Sequence, residues 1–352
     1  MQAFRYANRK RCGKTSKTSR KFDFNRKLEL CHDFLKRRCQ WSTRSLISDD
    51  LRLTKQFIEQ GDYDVISVGS DTVFQLGPNV TGAYISAVAA PNLFFLPFQS
   101  CAKKVAFAAS CNPYRGPQEL SGKMQTVRQA LEDFAAISVR DQATLDMLRD
   151  CGLNADQIHY LPDPALLVDL NPLLHRHPWR SPLPTADALI SVGKGSLAKS
   201  ITKQLQQRGL QTINLLSGQT REHRLKLGKT IHRLEDVLQL HRQARWVITD
   251  RFHSAIMKIS LSGNQLIGIE ISERYPNKNS KLRDVFNRLG IADQLMTTDT
   301  HASDDAAAAA IALQLNTLCN RPGNALHAEL STLRRHGEQT IKQLSQAIHS
   351  SS

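Results

Sequence analysis

Long hydrophobic runs are absent from this sequence. No apolar stretch of its 352 residues approaches the roughly 20 residues that a membrane-spanning helix needs. The basic residues near the N-terminus are not followed by the apolar block of a secretory signal. We therefore expect a cytoplasmic protein that does not cross a membrane.

Paired cysteines and metal-ligand clusters are also missing. The seven cysteines are scattered, with no C-x-x-C pair, so we expect reduced thiols and neither a disulfide framework nor a zinc site. No cluster of Asp and Glu has the spacing of a metal site. The sequence predicts neither a metal nor a cofactor.

Positive charge is abundant but uneven. The net charge is +15, and residues 1–45 alone hold 14 Lys and Arg against 3 Asp and Glu. Such a segment either binds an anionic surface or is a solvated arm. Because it has no recognisable binding module, we expect no sequence-specific nucleic-acid binding.

Beyond this segment, short β-branched runs alternate with helical patterns, which is typical of α/β domains with parallel strands. Four helical patterns end at a glycine, where a left-handed residue is favourable; these are Gly152, Gly209, Gly263 and Gly290. The predicted strands are 65–68, 104–108, 136–139, 158–161, 189–192, 212–216, 246–249 and 266–269. The predicted helices are 118–134, 142–150, 197–207, 234–242, 251–261 and 281–289.

A proline-rich stretch at 171–184 divides this alternation into two parts. We predict two doubly wound, Rossmann-like domains that face each other across a cleft. No strand, glycine-rich turn and helix precede residue 64, so the first βα unit is predicted to be missing. The predicted units are a basic N-terminal arm at 1–45, an incomplete N-terminal α/β domain at 46–175, a C-terminal α/β domain at 185–300 and C-terminal helices at 303–350.

Arg251 and His253 follow the predicted strand in "WVITDRFHSAI". Ligands of open α/β sheets bind at the carboxyl ends of strands, beside helix N-termini that attract anions. With Thr249 or Asp250 as N-cap, Arg251 and His253 occupy the first helical turn. An arginine binds phosphate or carboxylate, and an imidazole moves a proton near neutral pH. The alternative is a lone surface histidine beside a structural Arg–Asp pair.

Arg140 has the corresponding place in the first half of the chain. "FAAISVRDQATLDML" predicts a strand, then Arg140, then Asp141 as the cap of a helix. Two junctions of the same kind, one in each domain, predict an anion site in the cleft.

Three further strand-end turns supply candidate substrate-binding residues. Gly69, Ser70 and Asp71 form one, where Gly permits close backbone approach and the polar pair caps a helix or binds a hydroxylated ligand. Ser110 lies in the second and lacks the sequence context of a nucleophile. Lys194 lies in the third, "SVGKGSLAKS", which lacks P-loop spacing but suits hydrogen bonding to an anion.

Five segments together resemble the polysaccharide pyruvyl transferase family. They are "DYDVISVGSDTVF", "KKVAFAASC", "FAAISVRDQATLDML", "LPDPALLVD" and "WVITDRFHSAI", and the resemblance covers residues 62–290. It implies a scaffold similar to GT-B glycosyltransferases. The implied activity is transfer of the enolpyruvyl moiety of phosphoenolpyruvate to two hydroxyls of a saccharide, forming a pyruvate ketal in surface polysaccharide biosynthesis. The family's usual opening strand and glycine-rich turn have no counterpart in the sequence.

The resemblance also implies roles for three residues. Arg140 and Arg251 would hold the phosphate and carboxylate of phosphoenolpyruvate, which is a donor substrate and not a cofactor, and His253 would protonate its methylene. A lipid-linked acceptor would give the basic segment a reason to contact the anionic inner face of the membrane.

The sequence is also compatible with two other functions. A GT-B-like glycosyltransferase would bind the diphosphate of a nucleotide sugar with the same arginines and its ribose with a glutamate, such as Glu270 or Glu273. A catalytically silent protein would use the basic segment to bind an anionic or membrane surface.

Overall fold

The computed structural model describes most of the chain beyond residue 50. The described residues are 33–37, 46, 50–76, 91–175, 183–215, 231, 233–263, 265–272, 275, 279–298, 302–319 and 324–350.

The first sheet comes from the N-terminal half of the chain. Its described strands are all parallel and lie in the order β1-β2-β3-β4. Their Val, Ile, Phe and Ala side chains pack into a core that includes the stacked rings of Phe74 and Phe95. The strands are β1 (Val65–Gly69), β2 (Lys103–Ala109), β3 (Phe134–Val139) and β4 (Ile158–Tyr160).

The second sheet comes from the C-terminal half and is also parallel, in the order β6-β5-β7-β8-β9. Its central strands are buried along their whole length, as expected for strands covered by helices on both faces. The strands are β5 (Ala188–Ser191), β6 (Thr212–Asn214), β7 (Trp246–Thr249), β8 (Leu266–Ile271) and β9 (Leu295–Thr298).

Helices connect the strands and follow them. In the first half they are α1 (Leu51–Glu59), α2 (Met124–Glu132), α3 (Gln142–Asp150), α4 (Pro164–Leu167) and α5 (Asn171–His175). In the second half they are α6 (Gly195–Gln207), α7 (Leu234–Gln243), α8 (Phe252–Ser262), α9 (Lys281–Arg288), α10 (Asp304–Leu318) and α11 (Asn324–Ser350). The structure thus confirms a mixed α/β fold with two Rossmann-like domains.

The element predictions were right in kind and wrong at several boundaries. The predicted helix 118–134 is shorter, because a 3-10 turn at Pro117–Leu120 precedes α2. Strand β9 was not predicted, because its "LMTT" sequence has only two apolar residues. The four helix-ending glycines all have positive φ, between 65° and 82°.

Helix α11 lies across both domains. Leu326 and Leu330 near its start belong to a core cluster of the second domain. Leu344 near its end packs with Val105 and Ala136 of the first. One long helix therefore joins the two cores, which limits how far the domains can move apart.

Several sequence-based expectations fall outside the described residues. The basic arm does so except for 33–37, and so does most of the stretch in which the first βα unit is predicted to be missing. Within that stretch the structure has one helix that was not predicted, α1 (Leu51–Glu59). Residues 176–182 of the proposed junction and Glu273 also lie outside. The proposed domain boundaries stay predictions. Over the described part of the chain, no helix combines the length and apolar character needed to cross a membrane.

Candidate functional site

The first-domain side of the site begins where β1 ends. A Cβ on Gly69 would lie 1.9 Å from the carbonyl oxygen of Phe107, so only glycine allows this approach of β1 to β2. The next turn brings Asp71 beside Ser110, whose backbone N–H donates to the carbonyl oxygen of Asp71 at 3.1 Å. Ser70, between Gly69 and Asp71, is partly buried.

Ser110 supports this turn from within the protein. It is fully buried, its carbonyl accepts from Phe74 N at 3.0 Å, and its Oγ accepts from Asn112 N at 3.2 Å. Ser110 therefore links two loops from a buried position, and its role in substrate binding stays a prediction.

Arg140 follows β3 and is almost completely buried. Its Nη1 donates to Asp163 Oδ2 at 2.5 Å, and its Nη2 donates to Asp71 Oδ1 at 3.0 Å. Its Nε is buried without a hydrogen-bond partner among the described residues. The expected anion-binding arginine is thus held by two carboxylates of its own domain.

Asp163, in the "LPDP" segment, fixes this arrangement. Its Oδ1 accepts from Ala165 N at 3.0 Å as the cap of α4, which leaves Oδ2 for Arg140. The same Oδ2 lies 3.9 Å from Nε2 of His253 in the second domain. One buried carboxylate therefore contacts the key residues of both domains.

The second-domain side begins where β7 ends, and its helix starts later than predicted. Arg251 is the N-cap of α8 and its N–H donates to Thr249 Oγ1 at 2.8 Å; neither Thr249 nor Asp250 is the N-cap. The difference arises because Thr249 is held in the sheet by a hydrogen bond from its Oγ1 to Ser191 O at 2.8 Å.

Arg251 reaches along the surface towards the turn after β5. Its Nε lies 3.1 Å from Asp250 Oδ1, and Gly193 N donates to the same oxygen at 3.0 Å. A Cβ on Gly193 would lie 1.8 Å from Nη2 of Arg251. Glycine at this position therefore makes room for a guanidinium that remains about half exposed.

His253 stands in the first turn of α8 with 57 % of its side chain exposed. Desolvation lowers its pKa below the ordinary value, the charge of Arg140 lowers it further, and Asp163 and Asp71 oppose the shift. The free protein therefore keeps this imidazole largely neutral near pH 7, and an anion bound beside it would raise its pKa.

Phe252 and Lys281 complete the cluster. The Phe252 ring lies 5.4 Å from the guanidinium carbon of Arg140 and 6.0 Å from Nζ of Lys281, within reach of cation–π attraction. Lys281 Nζ also lies 3.8 Å from Asp71 Oδ1. Burial lowers the pKa of Lys281 to about 8, with a further contribution from Arg140, while Asp141, Asp71 and Asp163 oppose the shift.

Lys281 was not predicted from the sequence as a site residue. It comes 28 positions after His253 and is the first residue of α9, capped by Ser280, whose Oγ accepts from Arg283 N at 3.1 Å. A lysine in a first turn looks like ordinary surface charge, and only the packing of α9 against the first domain brings it to Asp71. Asp163 lay inside a quoted motif, but nothing in the sequence identified its partners.

Lys194 does not join this cluster. Its Nζ lies 2.9 Å from Asp304 Oδ1 in the first turn of α10. Asp304 also accepts a hydrogen bond from Ser196, and this bond, together with that from Lys194, lowers its pKa. A carboxylate of the chain therefore already occupies the N-terminus of α6, where Lys194 was expected to bind substrate.

The structure thus brings together Asp71, Arg140 and His253 of the predicted residues. Arg251 is the N-cap of the helix that carries His253, but its guanidinium contacts Asp250 beside Gly193. Gly69 and Ser70 shape the turn that carries Asp71, and Ser110 and Lys194 are engaged elsewhere. No group of His, Cys, Asp and Glu suited to a metal ion occurs among the described residues. The cluster combines cationic side chains, an exposed carboxylate and an imidazole.

Comparison with known proteins places this cluster in context. A family model described as polysaccharide pyruvyl transferase matches residues 4–257, which is more than half of the chain. The match starts earlier and ends earlier than the span 62–290 inferred from motifs, so it includes most of the basic segment and stops before Lys281. No curated protein matches the chain.

Proposed function

The chain belongs to the polysaccharide pyruvyl transferase family, and we propose that it transfers the enolpyruvyl moiety of phosphoenolpyruvate to two hydroxyls of a saccharide, forming a cyclic pyruvate ketal. One observation carries this proposal: cations and a histidine from both domains meet at the carboxyl ends of two parallel sheets. The pair His253–Asp163, at 3.9 Å, joins the two halves of this cluster.

The donor matches the charges of the site. Phosphoenolpyruvate carries a phosphate and a carboxylate. The cluster offers Arg140 and Lys281, and the half-exposed Arg251 stands two residues before His253 at the start of the same helix. Charge-assisted hydrogen bonds of this kind contribute roughly 1.5–3 kcal/mol each. Three such groups on different elements hold the two anionic ends of the donor in a defined orientation.

The reaction needs one acid and one base, and the cluster has both. An acceptor hydroxyl oxygen bonds to C2 of the donor, and its proton passes to the exposed carboxylate of Asp71. The π electron pair of the C2–C3 bond meanwhile takes a proton from cationic His253, which forms the methyl group at C3. The C2–O bond to phosphate then breaks and the phosphate leaves with the electron pair. Arg140 and Lys281 offset its charge.

A second hydroxyl closes the ketal. Its oxygen bonds to C2 and its proton returns to the neutral imidazole of His253, while the proton held by Asp71 goes to the departing phosphate. One donor and two hydroxyls thus yield one ketal and one inorganic phosphate, and both titratable groups are restored.

The acceptor is a polysaccharide, as the family description implies. If that acceptor is carried on an anionic lipid, the 14 basic residues of positions 1–45 supply the complementary charge for peripheral contact with the membrane.

A nucleotide-sugar donor fits less well. Glu270, a candidate for binding ribose, is 1 % exposed, and its two oxygens accept hydrogen bonds from Nε and Nη2 of Arg283. The N-terminus of α6, where a diphosphate would bind, is covered by Asp304.

Calorimetric titration of phosphoenolpyruvate at low salt tests the proposal. We expect saturable binding to the wild type that is weakened at least tenfold in Arg251→Ala, the loss of about one charge-assisted contact. Arg245→Ala is the matched control, because Arg245 is an exposed arginine at the opposite end of β7 that contacts Cys319. Tighter binding of UDP or GDP than of phosphoenolpyruvate would refute the donor assignment.

A further inference from the structure

Arg140 makes two ion pairs of very different character. In the pair with Asp163 both side chains are buried, 1 % and 4 % exposed. In the pair with Asp71 the carboxylate is 71 % exposed. A buried pair is costly to break on one side, whereas an exposed one contributes little and exchanges readily.

The exposed carboxylate stands between cations of both domains. Asp71 Oδ1 lies 3.0 Å from Nη2 of Arg140 and 3.8 Å from Nζ of Lys281. An oxyanion of the chain therefore occupies the point where a first-domain guanidinium and a second-domain ammonium converge.

The side chain of Asp71 can leave this point without moving its loop. Its carbonyl oxygen accepts from Val73 N at 2.7 Å and from Ser110 N at 3.1 Å, which fixes the backbone on both sides of the turn. Rotation of the side chain is enough to turn the carboxylate towards solvent and to free Nη2 of Arg140. Asp163 meanwhile keeps the arginine in place through Nη1.

We propose that Asp71 Oδ1 occupies the position of an anionic group of the donor in the free protein. On binding, a phosphate or carboxylate oxygen of the donor displaces it from between Arg140 and Lys281 and releases the Asp71 carboxylate. This inference rests on the proposed function for the identity of the donor. The existence of the anion site does not depend on the proposed function.

Displacement would also prepare Asp71 for its chemical role. Partial burial raises the pKa of Asp71, but Lys281, a hydrogen bond from the backbone of Thr72, Arg140 and His253 together hold it below its usual value. Once the cations face a donor anion, their pull on Asp71 weakens and the carboxylate becomes a better proton acceptor. Donor binding thus precedes activation of the acceptor hydroxyl.

The test is calorimetric titration of inorganic phosphate, and separately of phosphoenolpyruvate, into the wild type, Asp71→Asn and Asp71→Ala at low salt. Removing the competing carboxylate should tighten binding of both anions roughly fivefold, the size of one exposed ion pair. Asp146→Asn is the control, because Asp146 is also an exposed aspartate near an arginine, Arg149, at 3.9 Å. We expect no change in that variant.

The outcomes separate this inference from the proposed function. Equal or weaker anion binding by both Asp71 variants, with phosphoenolpyruvate still bound by the wild type, overturns the displacement and leaves the function standing. Tighter phosphate binding without any binding of phosphoenolpyruvate supports the anion site and refutes the donor. Binding of neither anion to any variant overturns both.

Discussion

Arg140 and Asp163 form a buried ion pair at 2.5 Å, and the oxygen of Asp163 that accepts from Arg140 is also the one nearest to His253. The pair therefore does more than stabilise the first domain. It fixes the arginine with one nitrogen turned towards Asp71 and presents a carboxylate to the histidine of the other domain.

Replacing Asp163 by Asn should destabilise the protein. The variant leaves the buried charge of Arg140 without its main partner, which costs about 3 kcal/mol. Urea unfolding measures the loss, and Asp156→Asn, an exposed aspartate of the same domain, should change the free energy of unfolding by less than about 0.5 kcal/mol. A loss below about 1 kcal/mol in Asp163→Asn would show that the Arg140–Asp163 pair contributes little to the stability of the protein.

Replacing His253 by Gln should separate turnover from donor binding. Loss of a general acid lowers the rate of phosphate release from phosphoenolpyruvate, in the presence of an accepted saccharide, by about a hundredfold or more. The dissociation constant of the donor should change by less than about threefold, because glutamine retains a polar contact. His336→Gln on the exposed face of α11 serves as control. Equal losses of binding and turnover would contradict proton transfer by His253.

Donor binding should weaken as the pH rises through the pKa of Lys281, which is about 8 in the free protein. Below that pH the ammonium attracts the donor anion, and above it the neutral amine does not. Between pH 7.5 and 9.5 we expect the affinity for phosphoenolpyruvate to fall about tenfold. Lys281→Arg keeps its charge throughout this range and should bind with nearly constant affinity. A parallel decline in both proteins would exclude Lys281 as the titrating group.

Replacing Gly193 by Ala should displace the Arg251 side chain without changing Arg251 itself. The new Cβ would lie 1.8 Å from Nη2 of Arg251, so the guanidinium must move, and donor affinity should fall about tenfold. Because this guanidinium is half exposed, the midpoint of thermal unfolding should shift little. Gly61→Ala makes a comparable contact with the exposed ring of Tyr63 and should leave donor binding unchanged. Unaltered binding in Gly193→Ala would mean that Arg251 does not hold the donor.

Local patterns in the sequence were enough to predict most strands and helices of the fold. Runs such as "WVIT" and "LIGI" are buried strands because β-branched and aliphatic side chains favour covered parallel sheets. Asp141 caps α3 as predicted, accepting from Thr144 N at 2.9 Å, because capping depends on residues three positions apart. Arg140 and His253 were likewise found from their places after strands, a rule that needs only the order of elements along the chain.

Only the tertiary structure decided which side chains contact each other across the domain boundary. Lys281 meets Asp71, which is 210 positions away, only because the fold brings α9 against the first domain, where Arg288 of α9 lies over the ring of Tyr160. Lys194, equally basic and equally close to a strand end, is instead neutralised by Asp304. The sequence by itself determined two parallel α/β domains with cations at their strand ends. Which of those cations face a ligand, and which face a carboxylate of the chain, depends on long-range packing that no local pattern encodes.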